Sequence, residues 1–286
     1  MFNVKEKSEL MQFLIENLHG KSRNNIKSLL KNRQVLVNGV FTTQFNHVLE
    51  PGQEVMISET RISEKDMKGV KVVYEDAEVI AIEKESGLLT IATDRERTRT
   101  AYNIVKKYIK AKNPLEKLFI VHRLDRDTSG VMIFAKTEKM QQILQTNWQD
   151  MVLKRTYVAV VEGKVEKDSD TITSYLKENS AFVTFSSDKE IEGSKKAITH
   201  YKVLRRSKGF SLVEADIETG RKNQIRVHMQ TLGHSVVGDK KYGAHTNPLG
   251  RLGLHAKSIV FKHPKTGKIL SFETGIPFKF KSMFKR

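Results

Sequence analysis

The chain has no cysteine among its 286 residues. That excludes disulfides and thiolate zinc sites, and it fits a reducing compartment. No apolar run is long enough to span a bilayer. The opening Met1-Phe2-Asn3-Val4-Lys5-Glu6-Lys7 lacks the apolar centre of a signal peptide. A cytoplasmic location is therefore expected. Acidic residues are scarce beside basic ones, 33 against 50, for a formal net charge of +17. Such an excess speaks about partners, either nucleic acid or an anionic membrane surface. A membrane binder would carry a basic helix with a long apolar face, and the basic helix found below has only a short one. Nucleic acid is the expected partner and a membrane is not.

Several motifs are also missing. There is no Walker motif, no Gly-rich phosphate loop, no Asp-Phe-Gly and no Ser elbow of the hydrolase type. His228, His234, His245, His255 and His263 are too scattered for a metal spacing. Neither a metal nor a small-molecule cofactor is expected. Hydrophobic residues make up 38% of the chain, enough for a globular core in one large or two unequal domains.

What is present centres on Val121-His122-Arg123-Leu124-Asp125-Arg126-Asp127-Thr128-Ser129-Gly130. The apolar run Leu118 to Val121 enters this stretch and Val131 to Ala135 leaves it. A polar loop between two core strands is where a scaffold presents reactive groups. Asp125, flanked by Arg123 and Arg126, would be held ionised and aimed. The plainer reading is a charged hairpin loop whose salt bridges satisfy themselves. The rest of the chain decides between them.

Residues 1–60 read as a small unit. Leu10, Phe13, Leu14 and Leu18 recur at helical spacing before Gly20. Ser22 can cap a second helix with Ile26, Leu29 and Leu30 on one face and Arg23, Lys27 and Lys31 on another. Val35-Leu36-Val37 then meets the hairpin signal Asn38-Gly39. Two short helices and a small hairpin sheet make a compact α+β RNA-binding domain. It resembles the S-four domain in Ser22 to Lys27, Val35 to Gly39 and Leu49 to Val55. Residues 61–69 read as a polar linker.

The second domain, 70–286, opens with a hairpin, Val70–Tyr74 and Val79–Ile82. Helices are expected at Tyr102–Ile109 and Thr137–Trp148. Strands are expected at Val158–Val161, Phe182–Ser186, Ala197–Leu204, Ser211–Ile217, from Leu254 and at Ile269–Phe272. Strands and helices do not alternate regularly. The fold class is therefore α+β with a mixed, mainly antiparallel sheet, not a doubly wound parallel one. Between Ile217 and Met229 a strand gives way to a helix. Thr219, Gly220 and Arg221 stand at that turn, where an anion could dock. A capped helix start is the plainer reading.

With these stretches in order, the second domain resembles the RluA-type RNA pseudouridine synthases, among them the members with an N-terminal S-four domain. The matching residues are His122 to Thr137, Lys154 to Gly163, Thr219 to His228, Gly233 to Gly243 and Leu254-His255-Ala256. The resemblance implies an isomerase that breaks the uracil–ribose bond, turns the base and rejoins it through carbon 5. It implies Asp125 as the acting carboxylate. Its first step is open among attack at the anomeric carbon, attack at ring carbon 6, and elimination. It implies Tyr157 stacked on the base and able to serve in proton removal, and Arg226 paired with Asp125. Arg123 would hold the flipped nucleotide. Arg126, Thr219, Gly220, Arg221 and Gln224, with Arg23, Lys27 and Lys31 of the first domain, would complete the RNA contacts. The expected partner is RNA, ribosomal rather than transfer RNA by analogy with the S-four unit, and the chain is expected to act as a monomer. The chain departs from the family pattern at Lys84-Glu85-Ser86-Gly87, Lys222-Asn223 and Gly233-His234-Ser235. These departures are expected to leave the chemistry untouched and to bear on which RNA is bound. Two other classes stand beside the isomerase: a non-catalytic RNA-binding or ribosome-assembly factor, and a carboxylate-based nucleoside hydrolase that would release free uracil.

Overall fold

The computed structural model describes residues 1–59 and 65–284. The chain forms two compact units. One comprises Met1–Val70 and Thr98–Leu118, the other Lys71–Arg97 and Phe119–Arg286. Of the linker expected at 61–69, residues 61–64 lie outside the described residues.

In the first unit, α1 (Leu10–Asn17) and α2 (Arg23–Lys31) pack on a four-stranded sheet. The sheet includes the hairpin β1 (Val35–Val37) and β2 (Val40–Phe41) and the strand β3 (Glu54–Ile57). The Ser22 hydroxyl caps α2 by accepting from the Asn25 N–H at 3.2 Å. Asn38 and Gly39 both take positive φ, 48° and 75°, as a two-residue hairpin turn requires. Leu10, Leu14, Ile26, Val35 and Leu49 are buried in one cluster.

The helix α3 (Ala101–Lys112) belongs to this unit. Tyr108 meets the Phe41 ring edge-on at 5.2 Å, and the Ser58 hydroxyl donates to the Ala111 carbonyl at 2.9 Å. The helical period of 102–109 marks an apolar face, but it does not reveal which core that face meets.

The second unit is built on an 11-stranded sheet. In chain order its strands are β4 (Val70–Glu75), β5 (Val79–Lys84), β6 (Phe119–Ile120), β7 (Ser129–Ala135), β8 (Val152–Glu162), β9 (Ser169–Glu178), β10 (Thr184–Ser187), β11 (Lys195–Arg206), β12 (Phe210–Ile217), β13 (Leu254–Lys262) and β14 (Ile269–Glu273). Their spatial order is β10-β9-β11-β12-β8-β13-β7-β5-β4, with β14 on β13 and β6 on β7. Neighbours pair antiparallel at β5–β7, β8–β12 and β8–β13, whereas β7 and β13 run parallel. The sheet is therefore mixed and mainly antiparallel, as the sequence implied.

The sheet's centre is covered on both faces, so β7 is buried at every position and reads as one apolar run. Val131, Ile133 and Ala135 join the cluster that receives Met140 and Leu144 of α4 (Glu138–Thr146). Strand β9, polar and half-exposed along most of its length, is absent from the sequence expectation. Its Thr and Ser residues alternate without a strong apolar partner set. On the far side of β12 the chain enters α5 (Gln224–Thr231), whose Ile225 and Met229 fill a second cluster. No helix among the described residues is long and apolar enough to cross a membrane.

Candidate active site

The polar loop 122–128 leaves β6 and enters β7, and its shape is fixed from below. Gly130 takes φ +122°, and a Cβ there would stand 2.1 Å from the Ala256 carbonyl oxygen. Only glycine lets β7 approach β13 so closely. Beside it, Arg251 donates to the Ser129 hydroxyl at 2.8 Å. That leaves the Ser129 proton for His255 Nδ1 at 2.7 Å, and His255 Nε2–H for the Thr274 hydroxyl at 2.9 Å. Burial holds His255 down to about 4, so the ring is neutral.

The loop's carbonyls are held by residues 84–90. The Thr90 hydroxyl donates to the Leu124 carbonyl at 2.7 Å, and the Ser86 hydroxyl donates to that of Asp127 at 2.7 Å. The Gly87 N–H donates to the Arg126 carbonyl at 2.9 Å. Lys84, fully buried, donates to the carbonyls of Glu85, Leu88 and Arg126 at 3.0, 2.7 and 3.0 Å. Three acceptors match the three protons of an ammonium, while burial pushes its pKa down to about 7.

His122 faces inward from the loop. Its Nε2 accepts the Ile133 N–H at 3.0 Å and its ring lies 4.9 Å from Trp148. Burial, aided by Arg155, pushes it down to about 3. A ring nitrogen that must accept from a backbone N–H cannot also be protonated, which gives the same answer.

Above the loop lies a cleft of about 800 Å³. Asp125, Arg123, Arg126, Tyr157, Gly220, Arg221, Gln224 and Arg226 all line it, so most of the sequence-predicted site converges here. Thr219 lines an adjoining cavity of about 440 Å³. Arg23, Lys27 and Lys31 are exposed on α2 of the first unit. The Asp125 carboxylate is 43% exposed and lies 3.5 Å from Arg226 Nη1. Arg123 stands exposed at the cleft, without a protein partner among the described residues.

Arg226 has a closer carboxylate than Asp125. Its Nε and Nη2 donate to the two oxygens of Asp239 at 2.6 and 2.7 Å, and its Nη1 donates to the Asn223 side-chain oxygen at 2.7 Å. The Asp239 side chain is 1% exposed. The guanidinium also stacks 4.7 Å from the Tyr242 ring. Burial alone would lower the Arg226 pKa, but the Asp239 hydrogen bonds and charge raise it instead. The expected pair with Asp125 is present at 3.5 Å, but the planar fork is matched to Asp239, with one corner presented to Asp125. Asp239 and Tyr242 sit in a stretch whose sequence shows only a basic loop between glycines.

The departures from the family pattern also reach the site. Thr90 bonds the Leu124 carbonyl of the loop, Asn223 binds Arg226, and the Ser235 hydroxyl donates to the Tyr242 carbonyl at 2.7 Å; Lys84 and Gly87, which also bind the loop, keep the family pattern. These bonds join the departing positions to the loop and to Arg226.

Tyr157 sits at a register shift where β8 pairs with β13, and its ring is half-buried. Burial raises its pKa, Asp125 adds to the rise, and Arg155 opposes it. Gln224 uses both groups of its amide within the protein. Its oxygen accepts from the Thr219 hydroxyl and the Arg221 N–H, and its nitrogen donates to the Ile198 carbonyl and the Thr199 hydroxyl. Gln224 and Thr219 thus hold the shape of the turn. Gly220 leaves room for Arg155, since a Cβ there would meet its Nη1 at 2.7 Å. Arg155, missed as a site residue in the sequence, donates to the Glu218 carbonyl at 2.8 Å and lines both cavities. Among the described residues no three His, Asp or Glu side chains gather as a metal site.

The cleft is lined by Arg123, Arg126, Arg155, Arg221 and Arg226 around the Asp125 loop, on a mixed sheet. A family model described as RNA pseudouridylate synthase matches residues 78–231. The uncharacterized RNA pseudouridine synthase YlyB of Bacillus subtilis (strain 168) is 32% identical over 284 residues, covering 95% of this chain and 92% of that protein. The ribosomal large subunit pseudouridine synthase D of Neisseria meningitidis serogroup A is 33% identical over 279 residues, covering 90% and 72%. Human RNA Pseudouridylate Synthase Domain Containing 4 shares the fold, with a TM-score of 0.62 at 21% identity over 76% of this chain and 92% of that one. The chain belongs to the RNA pseudouridylate synthase family and is an enzyme of the isomerase class.

Proposed function

We propose that this enzyme converts specific uridines of structured RNA to pseudouridine, with large-subunit ribosomal RNA as the target and Asp125 as the carboxylate that acts on the nucleoside. The observation that carries the reading is the exposed Asp125 carboxylate 3.5 Å from an arginine that Asp239 holds rigid. The target base must leave its stack to reach a cleft of this kind, at a cost on the order of a few kcal/mol. Arg123 and Arg126 on the loop, with Lys222 and Arg221 opposite, suit the phosphates that would offset it. In the reaction the bond from C1′ to N1 breaks, uracil turns, a bond from C1′ to C5 forms, the C5 proton leaves, and N1 takes up a proton, so that the composition is unchanged. Asp125 can begin this by attack at C1′, by attack at C6, or by removing a sugar proton. Tyr157 offers a face for the base. To take the C5 proton it would first have to lose its own, which its burial opposes.

The ribosomal target is supported by the name of the Neisseria relative, a synthase of the large ribosomal subunit. An S-four-like RNA-binding role for the first unit is supported by the exposed Arg23, Lys27 and Lys31 on α2 beside its hairpin sheet.

The test is tritium release from unmodified RNA labelled at uridine C5, with wild type and Asp125→Asn compared. Release by wild type alone is expected, with RNA affinity retained in the variant. Turnover by Asp125→Asn near the wild-type rate would remove Asp125 from the chemistry. No release by either, with binding intact, would favour a non-catalytic RNA-binding factor.

A further inference from the structure

The hairpin joining β9 to β10 carries an aromatic ring in an unusual setting. Phe182 has φ 58° and is 71% exposed. Left-handed backbone is uncommon outside glycine, and for a bulky residue it is a genuine outlier. The turn around it is tightly determined. The Asn179 side-chain oxygen accepts from the N–H groups of Ala181 and Val183 at 3.0 and 2.9 Å. The Phe182 N–H donates to the Asn179 carbonyl at 2.9 Å, and the Phe182 carbonyl accepts from Lys241 Nζ at 2.7 Å. Glycine or asparagine would satisfy this backbone without strain. Strain of this kind persists where the surroundings over-determine it and clusters at functional positions.

The hairpin is tied to the cleft. Glu178, at the end of β9, pairs with Lys222 at 2.7 Å. The Thr184 N–H donates to the Tyr242 hydroxyl at 3.2 Å, and that hydroxyl accepts from Asn223 at 2.9 Å. Lys222 and Asn223 both line the cleft. Lys241 is exposed and its ammonium reaches the Phe182 carbonyl. An exposed aromatic face on a hairpin bonded to the wall of a basic cleft suits the stacking of single-stranded bases. Unstacked bases of RNA are commonly held on such rings.

We propose that Phe182 is a stacking platform for an unpaired RNA base next to the nucleotide in the cleft. This rests on the RNA-modifying reading above. Its test reads binding in an Asp125→Asn background, so it stands apart from whether Asp125 is catalytic.

The probes are a fluorescein-labelled 12-residue oligouridylate and its abasic counterpart, which keeps the phosphates and lacks bases. Phe182→Asn should weaken oligouridylate binding by about 5- to 100-fold, the range that one base stack spans. Abasic binding should stay unchanged, and so should the salt slope, because every phosphate keeps its cation. Because asparagine tolerates left-handed backbone, the Tm should stay level or rise. Phe182→Trp should keep the affinity, and its added fluorescence should be quenched by oligouridylate. Any of three results overturns the proposal: affinity within twofold of the parent, equal losses on both probes, or a Tm for Phe182→Asn below the parent's.

Discussion

Asp239 is the residue on which the geometry of the site turns. Two hydrogen bonds to a 1% exposed carboxylate fix the Arg226 plane, and only then does Nη1 face Asp125. Asp239→Asn keeps the volume but can accept from only one of the two donors. Because a displacement of about 1 Å can lower turnover on the order of 100-fold, kcat in tritium release should fall by about that much, with KM little changed. A KM rise with kcat intact would instead give Arg226 a binding role alone. Asp239→Ala should unfold more easily in a thermal melt, since it removes both of the closest carboxylate bonds of the mostly buried guanidinium and leaves only Asp125 at 3.5 Å and Asn223. Asp125 stood out in the sequence within a dense run of charge between two apolar stretches, a pattern that alone fits a self-satisfied hairpin loop; the family resemblance is what singled it out. Asp239 did not stand out. Its carboxylate reaches Arg226 across a helix and a turn, and nothing in local spacing announces a pairing of that kind.

Among the elements, α2 carries the clearest prediction. Ile26 and Leu30 bury one face, leaving Arg23, Lys27 and Lys31 exposed on the helix. Reversing all three charges should weaken RNA binding and flatten its dependence on salt. On single strands the slope should change by about 0.7 for each phosphate no longer neutralised. A slope identical to wild type would take this helix out of the binding account. The elements themselves were read with uneven success, for physical reasons. Strand β7 is covered on both faces and reads as a solid apolar run, and α4 has a Thr137 cap and an apolar stripe. Strand β9 was invisible, because its half-exposed positions hold Ser, Thr and Lys as readily as apolar residues. The turn at 219–224 was read two ways, as an anion dock and as a capped helix start. Its Arg221 N–H is taken by the Gln224 side chain, which also bonds β11, while Arg221 itself lines the cleft.

For the molecule as a whole, two buried histidines set a pH limit. His228 is fully buried between the Thr199 and Ser174 hydroxyls, and His255 between Ser129 and Thr274. Burial holds both at about 4, against 6.5 for an unburied ring. The unfolded chain therefore takes up protons near 6.5, while the folded chain resists until about 4. Protons favour unfolding across that window, so stability falls as pH falls through it. Each pKa unit of difference is worth about 1.4 kcal/mol. Unfolding monitored between pH 7 and 4 should show a steep drop in Tm, and His228→Gln should make that drop shallower. An unchanged pH profile for that variant would mean His228 is already charged in the folded chain.

The junction of β7 with β13 has a consequence in time. Ser129 and His255 lie 126 positions apart, yet they meet under the Asp125 loop. While the chain is being synthesised, the loop exists long before the strand that seats it. A nascent chain halted ahead of Leu254 would have the Asp125 loop and the α2 surface but no β13 beneath the loop. The loop is thus seated only once Leu254–Lys262 has been made and has left the tunnel.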